Sequence, residues 1–158
     1  MRISIPGKIF LVGEYAVLEG APAWVVAVPP RFAWETAEES GRASPDGTEA
    51  APAFAVESPA GRFAAMHPAL RGKFHDPWQG QGGFGGSTAE FALLAYASGV
   101  RDVNEAWDLY RRITVPKSPE GVAPSGADLV GQWLGGAVEW DPLSRRARDL
   151  SRAIFDLP

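Results

Sequence analysis

The chain has 158 residues, a mass of 16.9 kDa and a formal net charge of -4, with 46% hydrophobic and 22% charged residues. This composition excludes a coiled coil and a disordered chain, and the length predicts one globular domain. The scattered basic residues argue against a nucleic-acid groove or a membrane patch, and no apolar run approaches the roughly 18 residues of a membrane helix. The absence of cysteine excludes disulfides, thiolate zinc sites and cysteine nucleophiles. We therefore expect a cytoplasmic protein without nucleic-acid or membrane partners.

The first half of the chain predicts strands, turns and loops. Ile3 and Ile5 alternate with polar residues, and two short apolar runs follow within the first 37 residues, each bounded by Gly or Pro. The stretch 40–52 has the composition of an exposed loop. Residues 54–63 predict a hairpin around a Ser-Pro-Ala-Gly turn, and 68–74 predicts a short helical turn.

The second half predicts three helices. Ser87 and Glu90 have capping-box spacing at the start of STAEFALLAYASG, and Asp102 precedes the helical segment NEAWDLYRRI. The third helix, GADLVGQWL, begins at Ser125 and Asp128, which have the spacing of a cap. A strand over 137–140 and a charged, helix-compatible tail over 141–158 complete the chain. Strands followed by helices in one domain predict an α+β layer packing rather than a doubly wound sheet.

A glycine-rich segment, GQGGFGGSTA at 80–89, carries the first candidate site. Successive glycines let backbone N–H groups turn toward an anion, and the helix that follows adds its positive end, an arrangement that suits nucleotide phosphates. Ser87 could place its hydroxyl on Mg²⁺. The string also satisfies G-x-G-x-x-G, but the preceding HDPWQ is no buried strand, which argues against a dinucleotide fold. The alternative is a flexible glycine turn between elements.

Two further segments carry charged residues beside glycine. In 6–20, Lys8 heads an apolar strand and Glu14 follows the turn after it, so a cation and an anion stand at the ends of one short element. In 124–128, Asp128 lies in the first turn of a helix, where the helix dipole favours a carboxylate. The simpler alternatives are exposed surface charges for Lys8 and Glu14, and a capping role for Asp128.

Together the three segments resemble the signature motifs of the GHMP kinase superfamily, the small-molecule kinases named for galactokinase, homoserine kinase, mevalonate kinase and phosphomevalonate kinase. PGKIFLVGEYAVLEG is similar to its N-terminal motif, GGFGGSTAE to its phosphate loop and PSGADLVGQWLGG to the segment with its catalytic aspartate. The nearest likeness is to the mevalonate-pathway kinases. Tyr15 is closer to phosphomevalonate kinase, whereas the PSG before Asp128 is closer to mevalonate kinase.

The resemblance implies the fold of the superfamily's N-terminal domain, a two-layer α+β domain of the ribosomal-protein-like β-α-β type with a mixed sheet and helices on one side. This domain would span 1–140, and 141–158 would lead towards an absent C-terminal domain. Superfamily members run to about twice this length, with a second, ferredoxin-like domain that has its own glycine-rich motif. Nothing after Trp140 resembles that motif.

The resemblance also implies ATP-dependent phosphorylation of a small-molecule alcohol or phosphate in the mevalonate (isoprenoid) pathway, with ATP and Mg²⁺ as cofactors and mevalonate or phosphomevalonate as substrate. Asp128 would orient or deprotonate the attacking hydroxyl, and Lys8 would contact the acceptor alcohol and Asp128 and stabilise developing alkoxide. The remaining implied contacts are Gly82, Gly83, Gly85, Gly86, Ser87 and Thr88 for ATP, Glu14, Tyr15 and Ser125 for the substrate, and Ser87 and Glu120 for the metal.

Two positions depart from the superfamily pattern. Where these kinases commonly have a Mg²⁺-binding glutamate eleven residues before the aspartate, this chain has Lys117, and Glu120 is the nearby substitute. Gly86 replaces the first serine of the phosphate loop, which removes a hydroxyl but keeps a backbone donor. The alternative function is a truncated, non-catalytic domain that binds a nucleotide or self-associates through apolar residues such as Trp133 and Trp140. A homodimer or a complementary C-terminal domain is the expected protein partner.

Overall fold

The computed structural model describes residues 1–36, 54–114 and 122–151, so the predicted loop at 40–52, Lys117 and Glu120 lie outside the described residues. The described elements are, in chain order, β1 (Arg2–Val12), a 3₁₀ turn (Ala16–Glu19), β2 (Ala23–Thr36), α1 (Pro59–Met66), β3 (Gly72–His75), α2 (Gly86–Ala97), α3 (Val103–Ile113), α4 (Ala127–Leu134), β4 (Ala137–Asp141) and β5 (Arg146–Asp149). The predicted α+β class is confirmed.

The strands form one sheet in the order β1-β2-β4-β5, and β3 pairs with the far end of the long strand β2. All pairings between the described strands are antiparallel, whereas a mixed sheet was expected. The short segment 142–145 joins β4 to β5, and so short a connection can only reverse the chain, because a parallel pair needs a long crossover connection. The predicted strands in the first 37 residues and at 137–140 are confirmed.

The main core lies between one face of the sheet and the helices. It contains the sheet residues Val25, Phe32, Trp34 and Trp140 and, from the helices, side chains such as Phe91, Leu94 and Leu129. Trp140 is 1% exposed and packs in this core, so it cannot be a surface anchor for self-association. None of the described helices is long and apolar enough to cross a bilayer.

Three segments differ from the sequence-based expectation. The predicted hairpin at 54–63 is instead the start of α1, because the Ser58 hydroxyl accepts a hydrogen bond from the Gly61 N–H at 3.0 Å and Pro59 occupies the first turn. The predicted helical turn at 68–74 gives way to β3, which pairs with β2. Within the predicted helical tail, 146–149 forms β5 against β4.

Candidate functional site

Lys8 lies in the middle of β1 and not at its start. The β1–β2 register shifts between Pro6 and Gly7, and after the shift Phe10 packs against the main core beside its partner Val25. Lys8 is 8% exposed, and its Nζ lies 4.6 Å from the centroid of the Phe10 ring. Within the described ranges, no carboxylate oxygen lies within 4.0 Å of this ammonium. The lysine is therefore a buried cation without an acidic partner, and not a solvated edge charge.

The glycine loop packs against β1 next to this lysine. The Lys8 N–H donates to the Phe84 carbonyl at 3.1 Å. Gly85 has a φ of 80°, and a Cβ there would lie 3.0 Å from both Lys8 Cγ and Gln132 Nε2. Only glycine combines this left-handed conformation with so close an approach. Gly82 and Gly83 are exposed, and a Cβ on either would meet no atom within 4 Å, so this side of the loop is open.

Helix α2 begins one residue before the predicted cap. Its N-cap is Gly85, no side chain caps it, and Ser87 is an exposed second residue instead of the cap. Gly86 is half-buried at the first position. Because the first N–H groups of a helix have no intrahelical partner, this uncapped end presents backbone donors and the positive end of the helix dipole to an anion.

The segment before α4 is held by helix α3. The Trp107 indole donates to the Ser125 carbonyl at 2.8 Å, and the Arg111 guanidinium donates to the carbonyls of Ala123 and Pro124. The predicted Ser125–Asp128 cap is not formed, because Gly126 is the N-cap of α4 and no side chain caps this helix; the Ser125 hydroxyl, one residue earlier, accepts from the Ala127 N–H at 3.2 Å. These contacts fix the direction in which α4 starts, and with it the position of Asp128 in its first turn.

Asp128 joins α4 to the helix that follows the glycine loop. The Thr88 hydroxyl donates to Asp128 Oδ2 at 2.5 Å, and the Leu129 N–H donates to Oδ1 at 2.9 Å. Asp128 therefore has this bond between helices in place of a capping role. The implied contact between Lys8 and Asp128 is not formed among the described residues, because no carboxylate oxygen lies within 4.0 Å of the lysine Nζ. The carboxylate is half-buried, one side facing Thr88. The predicted phosphate loop and the predicted catalytic aspartate are thus in direct contact.

Gln132 is a site residue that sequence reasoning missed. It is 1% exposed, and its Nε2 donates to the Pro6 carbonyl at 2.8 Å, which ties α4 to the register shift of β1. Its Oε1 is buried without a hydrogen-bond partner. The signal in the sequence was an amide in helix ADLVGQWL, which is apolar apart from Asp128 and Gln132. Gln132 follows Asp128 by one turn, so the two side chains lie on the same face of the helix.

Tyr110 of α3 also reaches this region and was not singled out from the sequence. Burial raises the pKa of its phenol well above the ordinary value, the nearby charge of Asp128 raises that pKa further, and a hydrogen bond with Thr88 opposes the shift. The phenol therefore stays protonated at neutral pH and remains a hydrogen-bond donor.

The predicted substrate residues lie apart from Asp128. Glu14 and Tyr15 are exposed on the turn after β1, and Tyr15 is 79% exposed. No hydrogen bond or ion pair between described residues joins either of them to Asp128. Ser125 lines a different cavity of about 410 Å³, between the 3₁₀ turn and α3, together with Arg111 and Glu19. The structure therefore brings together Lys8, the glycine loop and Asp128, but not Glu14 or Tyr15.

Comparisons with known proteins place this geometry in a known fold. No protein-family profile and no curated protein matches the chain. Among solved structures, Methanococcus jannaschii mevalonate kinase matches with a TM-score of 0.56 and 16% identity, over 94% of this chain and 55% of that one. Streptococcus pneumoniae phosphomevalonate kinase with phosphomevalonate and AMPPNP matches with a TM-score of 0.54 and 20% identity, over 91% and 51%. L. major mevalonate kinase in complex with R-mevalonate matches with a TM-score of 0.52 and 15% identity, over 94% of this chain and 51% of that one.

These matches define what the chain is similar to. It spans about half the length of each of these kinases. The identities are too low to assign activity, and the similarity concerns the fold. The chain therefore shares an α+β fold with part of the mevalonate kinase and phosphomevalonate kinase structures.

Proposed function

We propose that this chain transfers a phosphoryl group from ATP to a small-molecule acceptor of the mevalonate pathway, either the alcohol of mevalonate or the phosphate of phosphomevalonate. The observation that carries the proposal is the Thr88–Asp128 hydrogen bond, which holds the Asp128 carboxylate of α4 against the first turn of α2, directly after the glycine loop. Asp128, the uncapped end of α2 and a buried lysine are the parts that such a reaction needs. The solved mevalonate and phosphomevalonate kinases of the same fold support the choice of acceptor.

The phosphates of ATP would bind at the uncapped end of α2. The exposed residues Gly82 and Gly83 leave room for them, and the backbone N–H groups from Gly85 to Thr88 supply donors. Lys8 lies against this loop, and among the described residues no carboxylate pairs with it. An anionic ligand would give this largely buried side chain the opposite charge that the described residues do not supply. Lys8 therefore has the position and charge to stabilise the negative charge that develops during transfer.

Asp128 would act on the acceptor. The acceptor oxygen attacks the γ-phosphorus and forms a new O–P bond, while the bond from that phosphorus to the bridging oxygen of ADP breaks. When the acceptor is an alcohol, its proton passes to the Asp128 carboxylate. A loose transition state requires little proton removal early in the transfer. Asp128 therefore matters more for holding the acceptor oxygen in line with the γ-phosphorus than for its basicity.

The residues present fit a Mg²⁺ ion that arrives with ATP. Mg²⁺ keeps several waters and is bound by one or two protein ligands together with substrate phosphates. The exposed Ser87 hydroxyl at the junction of loop and helix can supply one ligand. Across the described ranges, no group of three or more His, Cys, Asp or Glu forms a separate metal cage. When bound, the ion would neutralise phosphate charge; Glu120 stays a proposed second ligand.

Measurement of ADP release tests the proposal. The chain is incubated with Mg-ATP and, in turn, mevalonate, phosphomevalonate, homoserine or galactose, and we expect turnover with mevalonate or phosphomevalonate. Asp128→Asn should lower kcat by about 10²-fold or more and leave ATP binding unchanged, since general-base and positioning effects have this size. Asp108→Asn is the matched control, because Asp108 pairs with Arg145 on the surface of α3.

A folded chain that binds ATP but turns over none of the four acceptors would contradict the proposal. It would favour the second candidate, a nucleotide-binding domain without transferase activity. That candidate is favoured by the open glycine loop and the uncapped end of α2, which would bind nucleotide phosphates whether or not transfer follows.

A further inference from the structure

Thr88 is buried between two helices, whereas a residue that contacts a nucleotide would face the open side of the glycine loop. Its side chain is 4% exposed and points away from the open side of the loop, since its hydroxyl donates to Asp128 Oδ2 of the neighbouring helix. A threonine hydroxyl has a single proton. That proton is committed to Asp128, so Thr88 cannot donate it to a phosphate without breaking the bond between α2 and α4.

Tyr110 of α3 lies beside this pair. It is 5% exposed, and the pKa of its phenol responds to the charge of Asp128 and to Thr88, so α3 packs next to the Thr88–Asp128 bond between α2 and α4.

We propose that Thr88 is a positioning residue for Asp128. This inference rests on the proposed function, in which Asp128 faces the acceptor. Thr88 and the Leu129 N–H each occupy one carboxylate oxygen. Two bonds from different directions leave the carboxylate one orientation, with its remaining lone pairs turned to the half-buried side where an acceptor can approach. Without Thr88, a carboxylate in the first turn of a helix is free to rotate.

The first test compares Thr88→Val with Thr88→Ser. Valine keeps the shape of threonine and removes the hydroxyl, and serine keeps the hydroxyl. We expect Thr88→Val to lower kcat by about 10- to 100-fold, as small misplacements of a reacting group do, with the KM for ATP unchanged. Thr88→Ser should restore most of the loss. A raised KM for ATP with an unchanged kcat would show a nucleotide contact instead and overturn the inference.

The second test does not depend on turnover. With ¹³C-labelled aspartate, the infrared difference between wild type and Asp128→Asn isolates the carboxylate stretch of Asp128. Thr88→Val should shift this band, and Thr88→Ser should leave it near the wild-type position. An unshifted band in a folded Thr88→Val protein would overturn the inference. A wild-type chain without turnover but with the expected shift would contradict the proposed function alone.

Discussion

Gly126 shows how a single residue sets the geometry of the site. Its φ is 74°, and a Cβ on it would lie 2.7 Å from two atoms of the Trp107 indole. The same indole donates to the Ser125 carbonyl, so the close approach is what allows α3 to hold the start of α4. Replacing this glycine would strain the backbone and push away the tryptophan that fixes the segment before Asp128.

We expect Gly126→Ala to lower the free energy of unfolding by about 1–3 kcal/mol, the usual cost of a side chain in the left-handed region, with the indole clash in addition. Gly82→Ala is the matched control. Gly82 has no positive φ, and its Cβ would meet nothing within 4 Å, so its stability should stay within about 0.5 kcal/mol of wild type. Urea denaturation of both variants measures the difference, and equal effects would refute the argument.

At the scale of elements, the sequence predicted the features that depend on contacts between residues close together in the chain. Asp102 caps α3 as expected, because its carboxylate accepts from the N–H groups of Asn104 and Glu105 only two and three residues away. β3 is four residues long, and it exists because β2, far away in the sequence, offers a free edge. Such pairing is a tertiary effect that outweighs local propensity. The Ser-Pro-Ala-Gly segment was a harder case, since the same residues favour both a turn and a helix start.

Glu90 makes helix α2 sensitive to pH. Burial raises the pKa of its carboxyl, and the negative charge of Asp76 adds to the rise. A carboxyl whose pKa is raised in the folded protein contributes stability below its unfolded pKa and loses that contribution as pH rises through the folded pKa. Glu90→Gln should therefore stabilise the protein at pH 7, and the gain should disappear in acid below the unfolded pKa of about 4.3.

Glu139 serves as a control for Glu90, because the pKa of its carboxyl is shifted in the opposite direction. Hydrogen bonds from Arg148 and Trp24 lower the pKa of its carboxyl, so its contribution is present above the unfolded pKa and is lost as pH falls through the folded pKa. Glu139→Gln should thus destabilise modestly at pH 7, and its effect should fade in acid. Urea midpoints of both variants from about pH 3 to pH 8 give the two profiles. Profiles of the same sign would contradict the assignment of these environments.

At the scale of the whole molecule, the candidate site depends on segments far apart in sequence. The glycine loop and Asp128 could be predicted, because each has a local pattern of its own. Tyr110 and Gln132 could not be given roles, because each is defined by its partner: Thr88 on another helix for one, and Pro6 on β1 for the other. The same holds for Lys8, whose burial follows from the register shift of β1 and not from its neighbours in sequence.

The contacts of residues 141–151 bear on the C-terminal boundary of the domain. The resemblance suggested a boundary at 140, yet β5 pairs with β4, and Leu150 packs with Val26 and Ala137 on the other face of the sheet from the helices. Leu150 is 6% exposed, and its N–H donates to the Ala137 carbonyl at 2.7 Å. We propose that residues 141–151 belong to the folded body of this domain.

Leu150→Ala tests this extent. We expect a loss of about 2 kcal/mol in the free energy of unfolding, at the low end for buried leucines because the cluster around it is small. Leu143→Ala, at a residue that is 81% exposed, should change stability by less than about 0.5 kcal/mol. Urea denaturation with an unchanged m-value would show that the segment unfolds together with the sheet, since a segment that melted separately would lower m. Equal and negligible effects at both leucines would place the boundary back at 140.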